Sequence, residues 1–321
     1  MVCQEEPLVV QIIQLYEKIS RLESLKPSKD VDMLFTELVT TCMPPSPIDV
    51  TRLCRRVQEM RSKLIRLCGQ AEGLLESHYS TILGSFDSPL NHLNIFPYFN
   101  NYIKLSKLEY SILSEHITHV PIRIAFIGSG PLPLTSIVLA SYHLTRTSFH
   151  NYDIDPTANS LASRLVSSDP DLSQRMAFHT NDIMNIKDEL KEYDVIFLAA
   201  LVGMNKEEKV QVIDHLARYM SPGAVLMLRS AHGARAFLYP VIDHSDLQGF
   251  EVLSVFHPTD EVINSVVIAK RRPMTTRGQI KHHQDLGPRM LPSCKCSDFQ
   301  TYKPMNKGNF MEELTINKEK K

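Results

Sequence analysis

Seven short apolar runs separated by amphipathic stretches, a glycine turn after the first, and a purely helical pattern ahead of them predict an α/β fold. The expected architecture is a mostly parallel, Rossmann-like seven-stranded sheet behind an N-terminal helical bundle. The 321 residues suffice for one large domain or two ordinary ones. With 43% hydrophobic and 22% charged residues and a formal net charge of −1, the composition is that of a soluble globular protein. Nothing in that balance points to nucleic acid or to an anionic membrane. No apolar run approaches the ~20 residues of a transmembrane helix, and the Glu5-Glu6 start lacks the basic region of a secretory signal. The six cysteines show no disulfide-framework spacing, so a reduced, cytoplasmic compartment is expected.

The helical region runs from Glu5 to about His116. Val57, Met60, Leu64, Leu67, Ala71 and Leu74 recur at three- and four-residue steps, the stripe of one long buried helix. Met43-Pro44-Pro45-Ser46-Pro47 breaks the helix before it, and Asp49 is placed to cap the next. After a second break at Phe86–Pro89, a further helix carries Tyr98, Tyr102, Leu105, Leu108 and Ile112 on one side.

From Pro121 the period changes. Strands are expected at 123–127, 149–153, 176–179, 195–199, 224–229, 250–256 and 263–269, with helices at 134–144, 158–166, around 186–190 and at 206–219. Alternation in this order implies parallel strands joined by right-handed crossovers. Only Pro258-Thr259-Asp260-Glu261 joins the last two strands, which predicts an antiparallel hairpin at one edge. A parallel sheet ending in such a hairpin is typical of the S-adenosylmethionine-dependent transferase fold. The expected layout is residues 1–119 as helical bundle, 120–272 as the nucleotide domain and 273–321 as a flexible basic tail, with nine Lys and Arg against five acids. Cys294 and Cys296 in that tail are too few for a metal site, and no metal is expected.

The chemistry starts at Ile127-Gly128-Ser129-Gly130-Pro131. Glycines let the backbone turn sharply and approach a ligand, and the following helix offers unpaired N–H groups. The continuation Pro131-Leu132-Pro133-Leu134 departs from the pyrophosphate-binding G-x-G-x-x-G, which argues against a dinucleotide. Asp153, about 20 residues on at the end of the second strand, is placed to bind ribose hydroxyls. Asp155 stands beside it as a second adenosyl contact or as the cap of the helix that Pro156 opens. Asn181 and Asp182 follow the third strand, where Asp182 is placed to accept from an adenine amino group or is an ordinary loop carboxylate. Arg229, His232 and Arg235 leave the fifth strand at the same sheet edge, and their cations suit carboxylates.

Four blocks carry a resemblance to a known family: Glu76-Ser77-His78-Tyr79, Asn94 through Tyr102, Ile127 through Thr135, and Arg229 through Gly233. In this order they resemble plant nicotianamine synthase, from about Glu5 to Arg272. The resemblance implies that three 3-amino-3-carboxypropyl groups from three S-adenosylmethionine molecules are condensed, with release of three methylthioadenosines and no cofactor or metal beyond that substrate. It implies Glu76 as general base and Tyr102 as positioner of the attacking amine, and carboxylate binding by Arg229, His232 and Arg235. Tyr16-Glu17-Lys18-Ile19 and Leu74-Leu75 resemble sorting signals of plant members, which adds vesicles to the cytoplasmic expectation, although both segments also suit helix cores. A homo-oligomer is left open. The competing readings are a small-molecule methyltransferase on the same fold and a non-catalytic ligand-binding or adaptor protein.

Overall fold

A computed structural model describes residues 6–273, which lie within one compact unit. The readings of the tail beyond Pro273, Cys294 and Cys296 among them, fall outside the described residues. Four helices come first: α1 (Pro7–Ile19), α2 (Lys29–Cys42), α3 (Arg55–Leu83) and α4 (Phe99–His116). Ser28 caps α2 by accepting from the Val31 N–H at 3.4 Å. Asp49 does cap, but its helix is the 3-10 turn Val50–Arg52, and α3 begins only at Arg55. The α3 stripe is buried at Val57, Met60, Leu64 and Ala71, whereas Leu74 is 36% exposed. Beyond Ala71 that face meets a cavity instead of packed core, so the expectation that Leu74 is a core residue is corrected. Ile19 of the tyrosine motif is fully buried in the α1–α3 core. No helix among the described residues is long and apolar enough to cross a membrane.

The sheet comprises β1 (Arg123–Ile127), β2 (Ser148–Asp153), β3 (Met176–Thr180), β4 (Val195–Leu198), β5 (Val225–Ser230), β6 (Phe250–Phe256) and β7 (Ser265–Arg271). Its order is β3-β2-β1-β4-β5-β7-β6, parallel up to β5 and antiparallel at β7 and β6. The edge hairpin is present, with the later strand β7 inserted next to β5. Its connection is longer than the four residues read from the sequence, because β7 starts at Ser265 and leaves Ile263 and Asn264 in the loop. The strands β1, β4 and β5 are buried almost throughout, as a sheet covered on both faces requires.

Between the strands lie α5 (Leu134–Val138), α6 (Pro156–Val166), α7 (Leu172–Arg175) and α8 (Lys206–Tyr219). The expected helix at 134–144 is α5 followed by a π turn over Leu139–His143, closed by Leu144 N–H to Leu139 C=O at 2.7 Å. The helix expected around 186–190 is absent. Ile186 and Leu190 are both buried at helical spacing, but two 3-10 turns, Ile183–Asn185 and Glu189–Glu192, deliver them to the core.

The helices and the sheet share their cores. One cluster joins Leu83, Leu105 and Leu113 to Ile124, Phe126 and Phe197. Another joins Val57 and Leu64 to Ala231, Ala234 and Phe237 after β5. This packing sets α3 and α4 across the carboxyl ends of the parallel strands, where open α/β sheets bind ligands.

Candidate active site

A cavity of about 1350 Å³ opens at those strand ends, with α3 and α4 forming its far wall. Its floor is the turn after β1. Gly128 and Gly130 adopt φ of +77° and +66°, left-handed values that a side chain resists. The Gly128 N–H donates to the Tyr152 carbonyl at 2.8 Å and the Gly130 N–H to Asp153 Oδ2 at 2.9 Å. Asp153 Oδ1 accepts the Asp155 N–H at 3.0 Å, so one carboxylate fixes both the turn and the end of β2. Ser129 is buried, lines the cavity, and has an Oγ without a protein partner. Asp155 caps α6 through the Thr157 N–H at 2.8 Å, and Asp182 caps its 3-10 turn through the Met184 N–H at 2.9 Å. Both, with Asn181, are exposed on the cavity rim.

The wall facing this floor carries two carboxylates one helical turn apart, Glu72 and Glu76, on the same face of α3. Glu76 is buried above the glycine turn: a Cβ on Gly130 would stand 2.7 Å from its Oε2. Ser80, one turn further along, donates to the Pro131 carbonyl at 2.5 Å and ties helix to turn. Tyr102 of α4 donates its hydroxyl to Glu76 Oε1 at 3.0 Å and lies 3.4 Å from Glu72 Oε1. On the other side of Glu72, the Tyr239 hydroxyl donates to Oε2 at 3.2 Å. Burial, and after it the neighbouring Glu72 carboxylate, pushes the Glu76 carboxyl well above its usual range. Burial also raises Glu72, against the hydrogen bond from Tyr239. The Tyr102 phenol is raised well above its ordinary value, first by burial and then by Glu76 and Glu72. It is therefore a neutral hydroxyl throughout the working pH range.

The basic residues distribute differently from expectation. Arg229 lines the cavity, but its Nε and Nη2 bond Glu109 of α4 at 2.7 and 3.0 Å, and Nη2 also bonds Thr135 Oγ1 at 2.7 Å. The carboxylate it holds is the protein's own. Arg235 does not line the cavity. Its guanidinium is buried against the carbonyls of Met43, Pro258, Asp260 and Val262, and stitches the α2 end to the β6–β7 connection. His232 also lies off the cavity, stacked on His257 with ring centroids 4.2 Å apart. The expectation that His232 and Arg235 bind a substrate carboxylate is corrected on these grounds. A set of backbone carbonyls already satisfies Arg235, and His232 is exposed and is not among the residues that line the cavity.

Four cavity or supporting residues carry no assignment in the sequence reading. Glu109 has a visible signal, a carboxylate set among Leu105, Leu108 and Ile112 on an apolar helix face. Glu72 shares a face with Glu76, which is a weaker sign. Tyr239 and Asn264 lie in irregular segments where no period exists to be broken. Asn264 is buried on the cavity with an unpartnered Nδ2.

The comparisons with known proteins give the family. A family model described as nicotianamine synthase protein matches residues 2–276. The nicotianamine synthase of Solanum lycopersicum is 64% identical over 318 residues, covering 98% of this chain and 99% of its own length. Nicotianamine synthase 3 of Arabidopsis thaliana is 63% identical over 324 residues, with 99% of each chain covered. Among solved structures, MtNAS in complex with MTA and tNA superposes with a TM-score of 0.71 at 23% identity, covering 84% of this chain and all of that one, a likeness of fold. A family model that spans all the described residues, and relatives matched end to end at such identity, make this chain a member of the nicotianamine synthase family.

Proposed function

We propose that this chain makes nicotianamine from three molecules of S-adenosylmethionine, joining three 3-amino-3-carboxypropyl groups in two displacements, closing one of them into an azetidine ring in a third, and releasing three molecules of S-methyl-5′-thioadenosine. Family membership supports the reaction. Its placement here is carried by one observation, the Glu76 carboxylate buried over Gly130 and 3.0 Å from the Tyr102 hydroxyl. The Gly128–Gly130 turn and Asp153 receive the adenosyl half, with Asp153 accepting from the ribose hydroxyls and Asn181 and Asp182 meeting the adenine edge. Asp155 acts by holding the α6 N-terminus against this site. Glu76 removes the proton that an α-ammonium must lose before its nitrogen can attack. Tyr102 orients that nitrogen and the carboxylate toward each other.

The displacement occurs at the Cγ carbon of the aminocarboxypropyl arm, and the sulfonium departs as a neutral thioether. It needs no acid and no metal to assist it, so the protein's task is to align the amine and take its proton. A single drug-sized ligand fills about 300–1,000 Å³. The 1350 Å³ here leaves space for a growing chain beside the adenosyl group. Arg229 stabilises this wall through Glu109, and Asn264 offers its Nδ2 to a substrate carboxylate or carbonyl. Incubation of the protein with S-adenosylmethionine alone tests the reading. Methylthioadenosine should appear without any added acceptor, together with a product of three aminocarboxypropyl units by mass. S-adenosylhomocysteine, or no product, would overturn it.

A further inference from the structure

Two condensations and one ring closure create a proton problem that one base does not solve. Each addition forms one N–C bond and breaks one C–S bond, whose electron pair leaves with sulfur. In each displacement the attacking ammonium nitrogen gives up one proton, so the two additions and the ring closure release three protons into one cavity. The Glu76 carboxylate holds only one of them at a time. Beside it the side chains form an unbroken series: Glu76 Oε1 to Tyr102 Oη at 3.0 Å, Tyr102 Oη to Glu72 Oε1 at 3.4 Å, and Glu72 Oε2 to Tyr239 Oη at 3.2 Å. A phenolic oxygen can donate its proton to a carboxylate on one side while accepting from a protonated carboxyl on the other. Arg229, whose charge favours ionised Glu72, spends its Nε and Nη2 on Glu109 and Thr135, and among the described residues Glu72 forms no direct ion pair.

We propose that Glu72 is the site's second proton acceptor. Resting on the nicotianamine-forming reading above, it takes from Glu76, through the Tyr102 hydroxyl, the proton that each N–C bond formation releases. Tyr239 holds Glu72 in the receiving orientation, and Glu72 returns the proton to solvent through the cavity it lines. Glu72 acts through Tyr102 and Glu76 and not on the substrate, so it is needed between additions and not for the first one.

Rapid-quench kinetics on Glu72→Gln separate these demands. The variant should bind S-adenosylmethionine as the wild type does and form about one methylthioadenosine per protein in a first phase slowed far less than the later ones, because loss of the Glu72 charge lowers the Glu76 carboxyl and weakens it somewhat as a base. Later additions should then slow by roughly 100-fold, the scale of a lost proton-transfer group. Equal slowing of first and later additions, or no slowing of either, overturns the relay. Tyr239→Phe gives a second reading that does not depend on the fold of the first variant. Its hydroxyl favours ionised Glu72, so its loss should shift the acid limb of the steady-state rate to higher pH. The first addition should keep its rate at the pH optimum. The other groups facing Glu72, namely Tyr102, Glu76, Arg229 and Cys68, are unchanged in this variant. An unmoved acid limb overturns the proposal. Failure of the wild-type protein to make methylthioadenosine would remove the underlying reading before any variant is compared.

Discussion

At the scale of single residues, the site sets activity against stability. A carboxyl whose pKa is raised in the folded chain contributes its full stability below the ordinary carboxylate range and loses it as pH climbs through the raised value. Glu76 is such a group. Glu76→Gln should therefore unfold at a higher temperature than the wild type at neutral pH, and the gap should close in acid. The same variant should lose about 10²–10⁴-fold in methylthioadenosine formation, the range of a missing general base, while still binding S-adenosylmethionine. Thermal melts across pH and a product assay check both halves. Gly130→Ala makes a complementary case. A left-handed φ of +66° costs an alanine about 1 kcal/mol or more, and its Cβ would press on Glu76 Oε2 from 2.7 Å. Turnover should fall more than that modest destabilisation explains. A measured kcat equal to wild type would show that the carboxylate tolerates displacement.

Among elements, α4 and β5 are joined by the buried Glu109–Arg229 pair, with Arg229 also set 5.5 Å over the Phe126 ring. Removing one partner leaves a charge stranded in the core. Glu109→Gln should accordingly cost about 3–5 kcal/mol in chemical denaturation. An Arg229→Met, Glu109→Leu double variant should recover most of that loss. This pair also shows where sequence reading stops. The strands were legible to within two or so residues because buried parallel strands are short β-branched and aromatic runs between polar stretches. The glycine turn and Asp153 were legible from their positions at the first two strand ends, Glu76 and Tyr102 only through the family resemblance, and the structure brings all of them to one cavity. The partners of Arg229 were not, since Glu109 and Arg229 are separated by 120 positions and nothing local couples them. The same limit misdirected Arg235, whose carbonyl partners come from the α2 end and the β6–β7 connection. At 186–190 the i, i+4 spacing of Ile186 and Leu190 mimicked a helix that 3-10 turns replace.

For the whole molecule, the decisive feature is that the wall carrying Glu76 and Tyr102 and the floor formed by the glycine turn belong to different regions of the chain yet share a core. Leu83, Leu105 and Leu113 from the helices interdigitate with Ile124, Phe126 and Phe197 of the sheet. Fully burying side chains of this size stabilises by about 1.5–3 kcal/mol each, so detaching the helices would expose more than a domain can lose. The N-terminal helices are therefore part of the folding unit and not a lid that swings free. Thermal unfolding should be a single transition, with far-ultraviolet dichroism, which follows the helices, coinciding with the fluorescence of the tyrosines, since the chain has no Trp. S-adenosylmethionine at 100 times its Kd should move both signals together by about 2.7 kcal/mol, because the proposed site lies where the two regions meet. A fragment of residues 120–273 should fail to fold as a monomer. Two separated transitions, or a ligand shift in only one signal, would mean that the helices and the sheet are independent domains and that the cavity between them opens without unfolding.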